Sequence, residues 1–479
     1  MTGPTQPATY SAPGQPVQTA QRGVPPAPPP GQPQHPAGAH AAPDIQRRRR
    51  NRSRLGGGGT PSVLQLLLIS LVAASLVWGV VAALTVAQHA SAASEVVSTS
   101  EPLSLDAQQM YQSLADADVT AVTAFIAYPP GGPTQEPLGV RQRYLADIAS
   151  AGADLAALRS AGGAANSGQL SRNLTAISAG LPLYTGFVQQ ARTWTEGGFP
   201  STGGSLMQDA SEEMHLVLLP AANAIYTNEN TALTGASAQA TGLPLIIVTV
   251  VLAIVIGYVL LRSQRWLSRR THRTINPGLL LASAAIVIST LWLIAAFSAA
   301  RSDFGKGLGH GSTPAEELAQ AGIAAQAGRG DQVLNLISRS GSSSFQQAFA
   351  SEQAKIGPGN GTLLAAAVAN STGNVSPAEQ DAKTWYTASA RVFALDVAAN
   401  YAAETQAVIG TGSGSSAADF ARLEHDLRQA IASDQVVFQS NASSGSGAFG
   451  GLEVGVIIAA LLMAAGSAWG LSRRLAEYR

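Results

Sequence analysis

The stretch LLRSQRWLSRRTHRTINPGLLL, residues 260–281, carries five arginines and no acidic residue, and an apolar run lies on either side of it. Short loops rich in arginine stay in the cytoplasm when the flanking apolar helices insert into a membrane. This stretch therefore predicts a cytoplasmic connection between two membrane spans. Both spans should lead outward from it.

The chain contains four apolar runs of the length that a helix needs to cross a bilayer, roughly 20 residues. They cover residues 63–86, 243–261, 279–299 and 452–471. The first three contain no charged residue and no histidine, and the fourth contains only Glu453, near its start. Buried helices of soluble proteins normally keep a polar stripe, so we predict four transmembrane helices.

The basic residues outside this stretch agree with the same topology. Six arginines between positions 47 and 54 precede the first span, and Arg473, Arg474 and Arg479 follow the last. Acidic residues concentrate in the two long segments between spans. We therefore expect both termini in the cytoplasm and both long segments outside it.

Composition fits a membrane protein, because 46% of the 479 residues are hydrophobic and only 12% are charged. The chain has no cysteine, which excludes a disulfide framework, a cysteine metal site and a thiol nucleophile. Any external domain must be stabilised by packing.

The predicted fold class is an all-α membrane protein with four transmembrane helices and two extracytoplasmic, four-helix-bundle-like domains in tandem. Apolar residues recur every three or four positions in both long segments, and Gly and Pro clusters separate these series. One such series, from Trp385 to Ile409, predicts a single long helix. The predicted boundaries are 1–61, a disordered Pro-rich basic tail; 62–88, 243–261, 277–299 and 452–472, the spans; 89–242 (segment 1) and 300–451 (segment 2), the external domains; 262–276, the basic loop; and 473–479, the C-terminus.

The first span has a competing interpretation as a signal peptide, because Ala-Ser-Ala at 90–92 resembles a cleavage site. Its apolar run is about twice the usual length and starts after some sixty residues, which favours an uncleaved anchor.

The four outer junctions between spans and segments differ in sequence. Pro244 follows Thr241-Gly242-Leu243, and a glycine-rich stretch covers 445–451. Proline removes a backbone donor and disturbs the preceding turn. We expect breaks at these two junctions, near 243 and 451, and continuous helices at the other two, near 88 and 299.

Enzyme signatures are absent from the sequence. Neither a phosphate-binding GxxxxGK[ST] loop nor an HExxH motif occurs, and His89, His215, His310 and His425 are isolated in the sequence. We predict no catalytic, cofactor-binding or metal-binding residue and no nucleic-acid partner. Transport is disfavoured because the spans lack ionisable groups at membrane depth.

Two acidic residues interrupt the apolar series of the segments. Asp118 lies in the inward series of SLADADVTAVTAFIA, and Asp434 lies in that of the last helix of segment 2. A buried carboxylate costs several kcal/mol unless it is paired. Each should lie at a solvent-accessible edge, form an ion pair with a partner such as Arg, or contact a ligand or partner.

The basic loop has two readings. The arginines anchor the topology and contact anionic lipid, or they form a docking site for a cytoplasmic partner. The residues concerned are Arg262, Arg265, Arg269, Arg270 and Arg273.

The stretches QMYQSLADADVTAVTAFIA (109–127) and RQRYLADIASAGADLAALRSA (141–161), with the duplicated plan and the Pro-rich basic N-terminus, resemble the GlnX-type membrane proteins of actinobacteria. The resemblance covers residues 45–479. It implies a relay from an amino-acid-sensing lipoprotein to the cytoplasmic Ser/Thr kinase protein kinase G. It brings no catalytic residues.

The expected function is that of a non-enzymatic transmembrane signalling component. Its expected partners are the lipid bilayer, an external solute-binding lipoprotein and a cytoplasmic Ser/Thr kinase. The alternatives are a cell-envelope scaffold and an accessory subunit of a transporter. The sequence leaves open whether the chain forms a homo-oligomer.

Overall fold

A computed structural model gives the structure of the chain, and it describes residues 60–127, 138–161, 168–271, 276–338, 343–357, 359 and 361–476. The predicted disordered tail lies, but for its last two residues, outside the described residues, and so does the end of the C-terminus. In the described ranges the protein consists of helices and short connections, without a strand. The all-α fold class is confirmed.

The first half of the chain forms seven α-helices and two π-helical segments. They are α1 (Thr60–Glu95), a first π segment (Val96–Ser100), α2 (Glu101–Ala127), α3 (Leu138–Ala161), α4 (Gly168–Glu196), α5 (Pro200–Glu213), a second π segment (Met214–Leu218), α6 (Leu219–Ala240) and α7 (Pro244–Thr271).

The second half forms eight α-helices and one π-helical segment. They are α8 (Pro277–Gly307), a third π segment (Leu308–Ser312), α9 (Thr313–Ser338), α10 (Ser343–Ile356), α11 (Leu363–Asn370), α12 (Ser376–Val397), α13 (Tyr401–Ile409), α14 (Ser416–Gly447) and α15 (Leu452–Ala476).

Four helical stretches, 62–127, 200–269, 277–337 and 416–473, are long and apolar enough to cross a membrane. Their membrane portions are α1, α7, α8 and α15, each of which packs against two of the others. Glycine allows the closest approach: a Cβ on Gly278 would lie 2.5 Å from the backbone of Gly466 and Gly470. The four apolar helices fit a multi-pass membrane protein.

The outer junctions follow the sequence prediction. The helical path from α1 through the first π segment to α2 is unbroken, and so is the path from α8 through the third π segment to α9. The helix is interrupted at residues 241–243, before Pro244, and at residues 448–451, where Gly451 has φ +72°. The predicted breaks and continuities are confirmed.

Both segments contribute to one hydrophobic core outside the spans. Its buried side chains extend from Ala107 in segment 1 to Ile431 in segment 2, and α2 and α5 both contact α9. The two segments therefore pack against each other. The division into two separate bundles stays a prediction.

The structure corrects two local predictions. The series from Trp385 to Ile409 is not one helix, because the chain turns at Ala399, whose φ is +52°, and Asn400 then caps α13 by accepting the Ala403 N–H at 3.3 Å. Residues 262–271 of the predicted basic loop are helical, because α7 continues as far as Thr271, and residues 272–275 lie outside the described residues.

Candidate functional site

Asp118 lies on the inward face of α2, among the apolar side chains of the shared core. Its side chain is 3% exposed, and Leu114 and Ala121, one turn away on either side, are fully buried. A carboxylate at such a position destabilises the fold unless its oxygens receive hydrogen bonds or face a positive charge. The neighbours of Asp118 therefore define the site.

Asp118 has two polar neighbours that lie one helical turn apart in the chain. The Ser211 hydroxyl donates a hydrogen bond to Asp118 Oδ2 at 2.7 Å, and His215 Nε2 lies 3.2 Å from the same oxygen. Ser211 lies in the last turn of α5, and His215 lies in the second π segment. Single π turns inside α-helices occur frequently at functional sites, and the spacing of four residues places Ser211 and His215 on the same helix face.

Two buried tyrosines complete the polar centre. Tyr144 of α3 is 5% exposed and Tyr184 of α4 is fully buried. Burial, together with the negative charge of Asp118, raises the pKa of the Tyr184 hydroxyl well above its usual value. Burial also raises the pKa of Tyr144 to about 12, although the Arg192 guanidinium, 5.5 Å from its ring centroid, opposes the shift. Both tyrosines therefore stay neutral at physiological pH.

The centre retains hydrogen-bonding capacity. In the described part of the chain neither Asp118 Oδ1 nor the Tyr144 hydroxyl has a hydrogen-bond partner. Unsatisfied polar atoms in a core cost free energy and need a reason, such as an ordered water or a bound group. The arrangement can accept and donate hydrogen bonds, and it can hold a proton on His215.

His215 also lies against segment 2. A Cβ added at Gly330 of α9 would lie 2.5 Å from His215 Cε1 and 2.7 Å from Nε2, so only glycine allows this approach of α9. Asp331 follows directly in the chain. The His215 imidazole therefore interacts electrostatically with two carboxylates, Asp118 of segment 1 and Asp331 of segment 2.

The protonation of His215 depends on both segments. Burial alone would lower the pKa of His215, but the Asp118 carboxylate, 3.2 Å from Nε2, and the charge of Asp331 outweigh burial and raise it. Burial raises the pKa of Asp331 to about 7, with His215 opposing and Glu352 adding to the shift. Protonation in this region thus couples the segments near neutral pH.

Residues 92–238 match the family model of the actinobacterial sensor domain. The match covers less than a third of the chain, and it includes Asp118, His215, both tyrosines and the first two π segments. It supports a sensor protein of actinobacterial type, with a sensing or signalling role that is non-catalytic. Searches of curated proteins and of solved structures found no match.

Asp434 has a different environment from Asp118. Its side chain is fully buried, and its Oδ1 accepts hydrogen bonds from the connection between α11 and α12: from the Ser371 hydroxyl at 2.9 Å, the Thr372 N–H at 3.1 Å and the Gly373 N–H at 3.3 Å. Asp434 therefore holds a loop in place. No arginine pairs with either aspartate among the described residues.

The arginines of the predicted basic loop are only partly described. Arg262, Arg265 and Arg269 are exposed on the last turns of α7, and the side chains of Arg270 and Arg273 lie outside the described residues. Their proposed role as a lipid or partner contact stays a prediction. No cluster of three or more His, Asp or Glu side chains that could hold a metal ion occurs in the described ranges.

Sequence reasoning missed His215. In the sequence it stands next to Met214, which belongs to the inward apolar series, and it was interpreted as one of four isolated histidines. The spacing of four residues places His215 on the same helix face as Ser211, but spacing alone does not show that this face meets Asp118. Asp331 and Gly330 were missed because they belong to the other segment.

Proposed function

We propose that the protein is a non-catalytic transmembrane sensor component that relays an external cue to a cytoplasmic partner. Two features carry the proposal: the match of residues 92–238 to a sensor domain, and the unbroken helical path from α1 into α2, the helix that bears Asp118.

A displacement at the Asp118 site would act on a helix that continues into the membrane. The path from α8 to α9 gives segment 2 an equivalent continuous connection, and α9 contacts His215 through Gly330. The paths into α7 and α15 contain the breaks at 241–243 and 448–451, which transmit displacement poorly. The relay therefore runs through α1 and α8, with α7 and α15 as their packing partners.

The cue and the output follow from the resemblance of the sequence. We propose that an external solute-binding lipoprotein reports amino-acid availability, and that a cytoplasmic Ser/Thr kinase receives the signal at the arginine-rich end of α7, the N-terminal tail or the C-terminus. The arginine asymmetry supports the placement of these regions in the cytoplasm.

A set of glycine insertions tests the relay. An insertion at Ala92, within α1, or at Ser302, within α8, should abolish the change in phosphorylation of the kinase substrate when cells move into medium with external glutamate and aspartate. The matched control is the same insertion after Gly447, where α14 already ends; it should keep the response. Expression and thermal stability of all three variants are measured in parallel.

A scaffold is the competing function, and the shared core of the two segments is the feature that favours it. A scaffold would behave identically with all three insertions, provided that they fold. Equal responses would therefore reject the helical relay.

A further inference from the structure

A small chamber with both polar and apolar lining lies outside the membrane region, where helices of both segments converge. It has a volume of about 40 Å³ and is bordered by α2, α6, α9 and α14. The first and third π segments end beside residues that line the chamber. Glu101 directly follows the first π segment, and Ser312 is the last residue of the third. A volume of this size holds a small ion with one or two waters, since one water needs roughly 10–15 Å³.

The lining is rich in oxygen and carries negative charge. It includes two carboxylates, Glu101 and Glu316, and three side-chain amides, Gln108, Asn230 and Gln435, and it contains no Lys, Arg or His. Each amide carries a carbonyl oxygen that can coordinate a cation, and the Gln108 oxygen also accepts a hydrogen bond from Gln435 Nε2 at 3.5 Å.

Glu101 is the decisive residue of the lining. Its side chain is only 5% exposed, and its Oε2 atom has no hydrogen-bond partner in the described part of the chain. Burial raises the pKa of Glu101. A buried carboxylate without a partner is costly, whereas a cation beside it offsets that cost.

The kind of oxygen limits the kind of cation. Carboxylate, amide and hydroxyl oxygens suit hard cations and disfavour transition metals, which prefer sulfur or imidazole ligands. Mg²⁺ demands a near-ideal octahedral shell, and the described residues offer no group of three or more acidic or histidine side chains that could hold a metal ion. Ca²⁺ takes roughly six to eight oxygen ligands, and a chamber of about 40 Å³ with two carboxylates suits a cation that needs fewer of them, such as a monovalent one.

We propose that this chamber binds a small monovalent cation between Glu101, Glu316 and the amide oxygens. The cation would join α2 and α6 of segment 1 to α9 and α14 of segment 2, next to both π segments. The inference goes beyond the proposed relay and does not depend on it, because binding is measured without any signalling output.

The experiment measures the thermal unfolding midpoint of the full-length protein in nanodiscs. NaCl, KCl or NH₄Cl replaces N-methylglucamine chloride at constant ionic strength, so that general screening is the same in every sample. At least one of the three ions should raise the midpoint saturably, by about 2 °C at some ten times its Kd.

Glu101→Gln should abolish this dependence on the ion. Glu379→Gln is the matched control, because Glu379 is a surface carboxylate of segment 2 that pairs with Lys383 across one helical turn; it should keep the full shift. Gln108→Leu, which fills the chamber with an apolar side chain, gives the same test if Glu101→Gln does not fold.

Three results would overturn the proposal. A midpoint that is the same in all four salts, or an ion effect that persists in both chamber variants, would mean that the chamber holds water only. In a further pair of samples CaCl₂ or MgCl₂ replaces N-methylglucamine chloride at the same ionic strength, and saturable stabilisation by these salts but by none of the monovalent ones would replace the monovalent cation with a divalent one.

Discussion

The contact between Gly330 and His215 should make alanine at position 330 destabilising, although alanine is normally favoured over glycine in a helix. The new Cβ would lie 2.5 Å from His215 Cε1, whereas ordinary contacts between carbon atoms are about 3.5–4 Å. The ring must therefore move by roughly 1 Å or swing away. If it swings, Asp118 loses the imidazole 3.2 Å from its Oδ2 and keeps only Ser211 as a described partner.

A matched substitution on the same helix isolates the size of the effect. Gly322 also lies in α9, and a Cβ there meets nothing within 4 Å. Gly322→Ala should stabilise by up to about 1 kcal/mol, through helix propensity alone. Gly330→Ala gains the same term but adds an overpacking cost of about 1–3 kcal/mol. The two variants should therefore differ by about 1–3 kcal/mol in the free energy of unfolding.

Urea unfolding of the full-length protein, followed by circular dichroism, measures this difference. In a His215→Ala background the ring is absent, so that Gly330→Ala should behave like Gly322→Ala and the double-mutant cycle should recover the overpacking term. Equal effects of the two alanines in the wild-type background would show that α9 does not press on His215, and would refute the coupling of the segments at this site.

Two further predictions concern pH and topology. Burial raises the pKa of Asp331 to about 7, and burial together with Glu424 raises the pKa of Asp116 to about 7. Between about pH 4 and 7 the folded state therefore binds more protons than the unfolded state, and the free energy of unfolding falls as pH rises. The raised pKa of His215 acts in the same direction, because its stabilising contribution is lost as pH rises through the folded value. Thermal unfolding between pH 5 and 8 should show this fall, and Asp331→Asn should flatten it; stability that rises with pH would contradict the assignment. For topology, cysteine introduced at the exposed positions Ser160 and Ser413 should react with a membrane-impermeant reagent in intact cells. Cysteine at Ser268, on the arginine-rich end of α7, should react only after lysis. Labelling of position 268 from outside would contradict the predicted topology.

The sequence by itself determined the features that depend on neighbouring residues along the chain. Uninterrupted apolar runs predicted the spans, because every backbone polar group in a bilayer must be satisfied within the helix. Pro244 and the glycines at 445–451 predicted the breaks, because proline and glycine change the local backbone whatever surrounds them. The helices of the segments were predicted from the spacing of apolar residues along the chain. The exception is Ala399, which takes a left-handed conformation that its residue type does not favour.

The tertiary structure alone decided what meets across the core. The inward spacing indicated Asp118, but only helix packing brought Ser211, His215 and Gly330 to that side of the molecule, from positions more than 90 and more than 200 residues further along the chain. The chamber beside Glu101 likewise needs four helices from two segments. Such contacts depend on helix phase and on the packing of distant elements, and a shift of one residue in a helix turns a side chain by about 100°. Residue spacing therefore specifies which face of a helix is buried, and only packing specifies what that face meets.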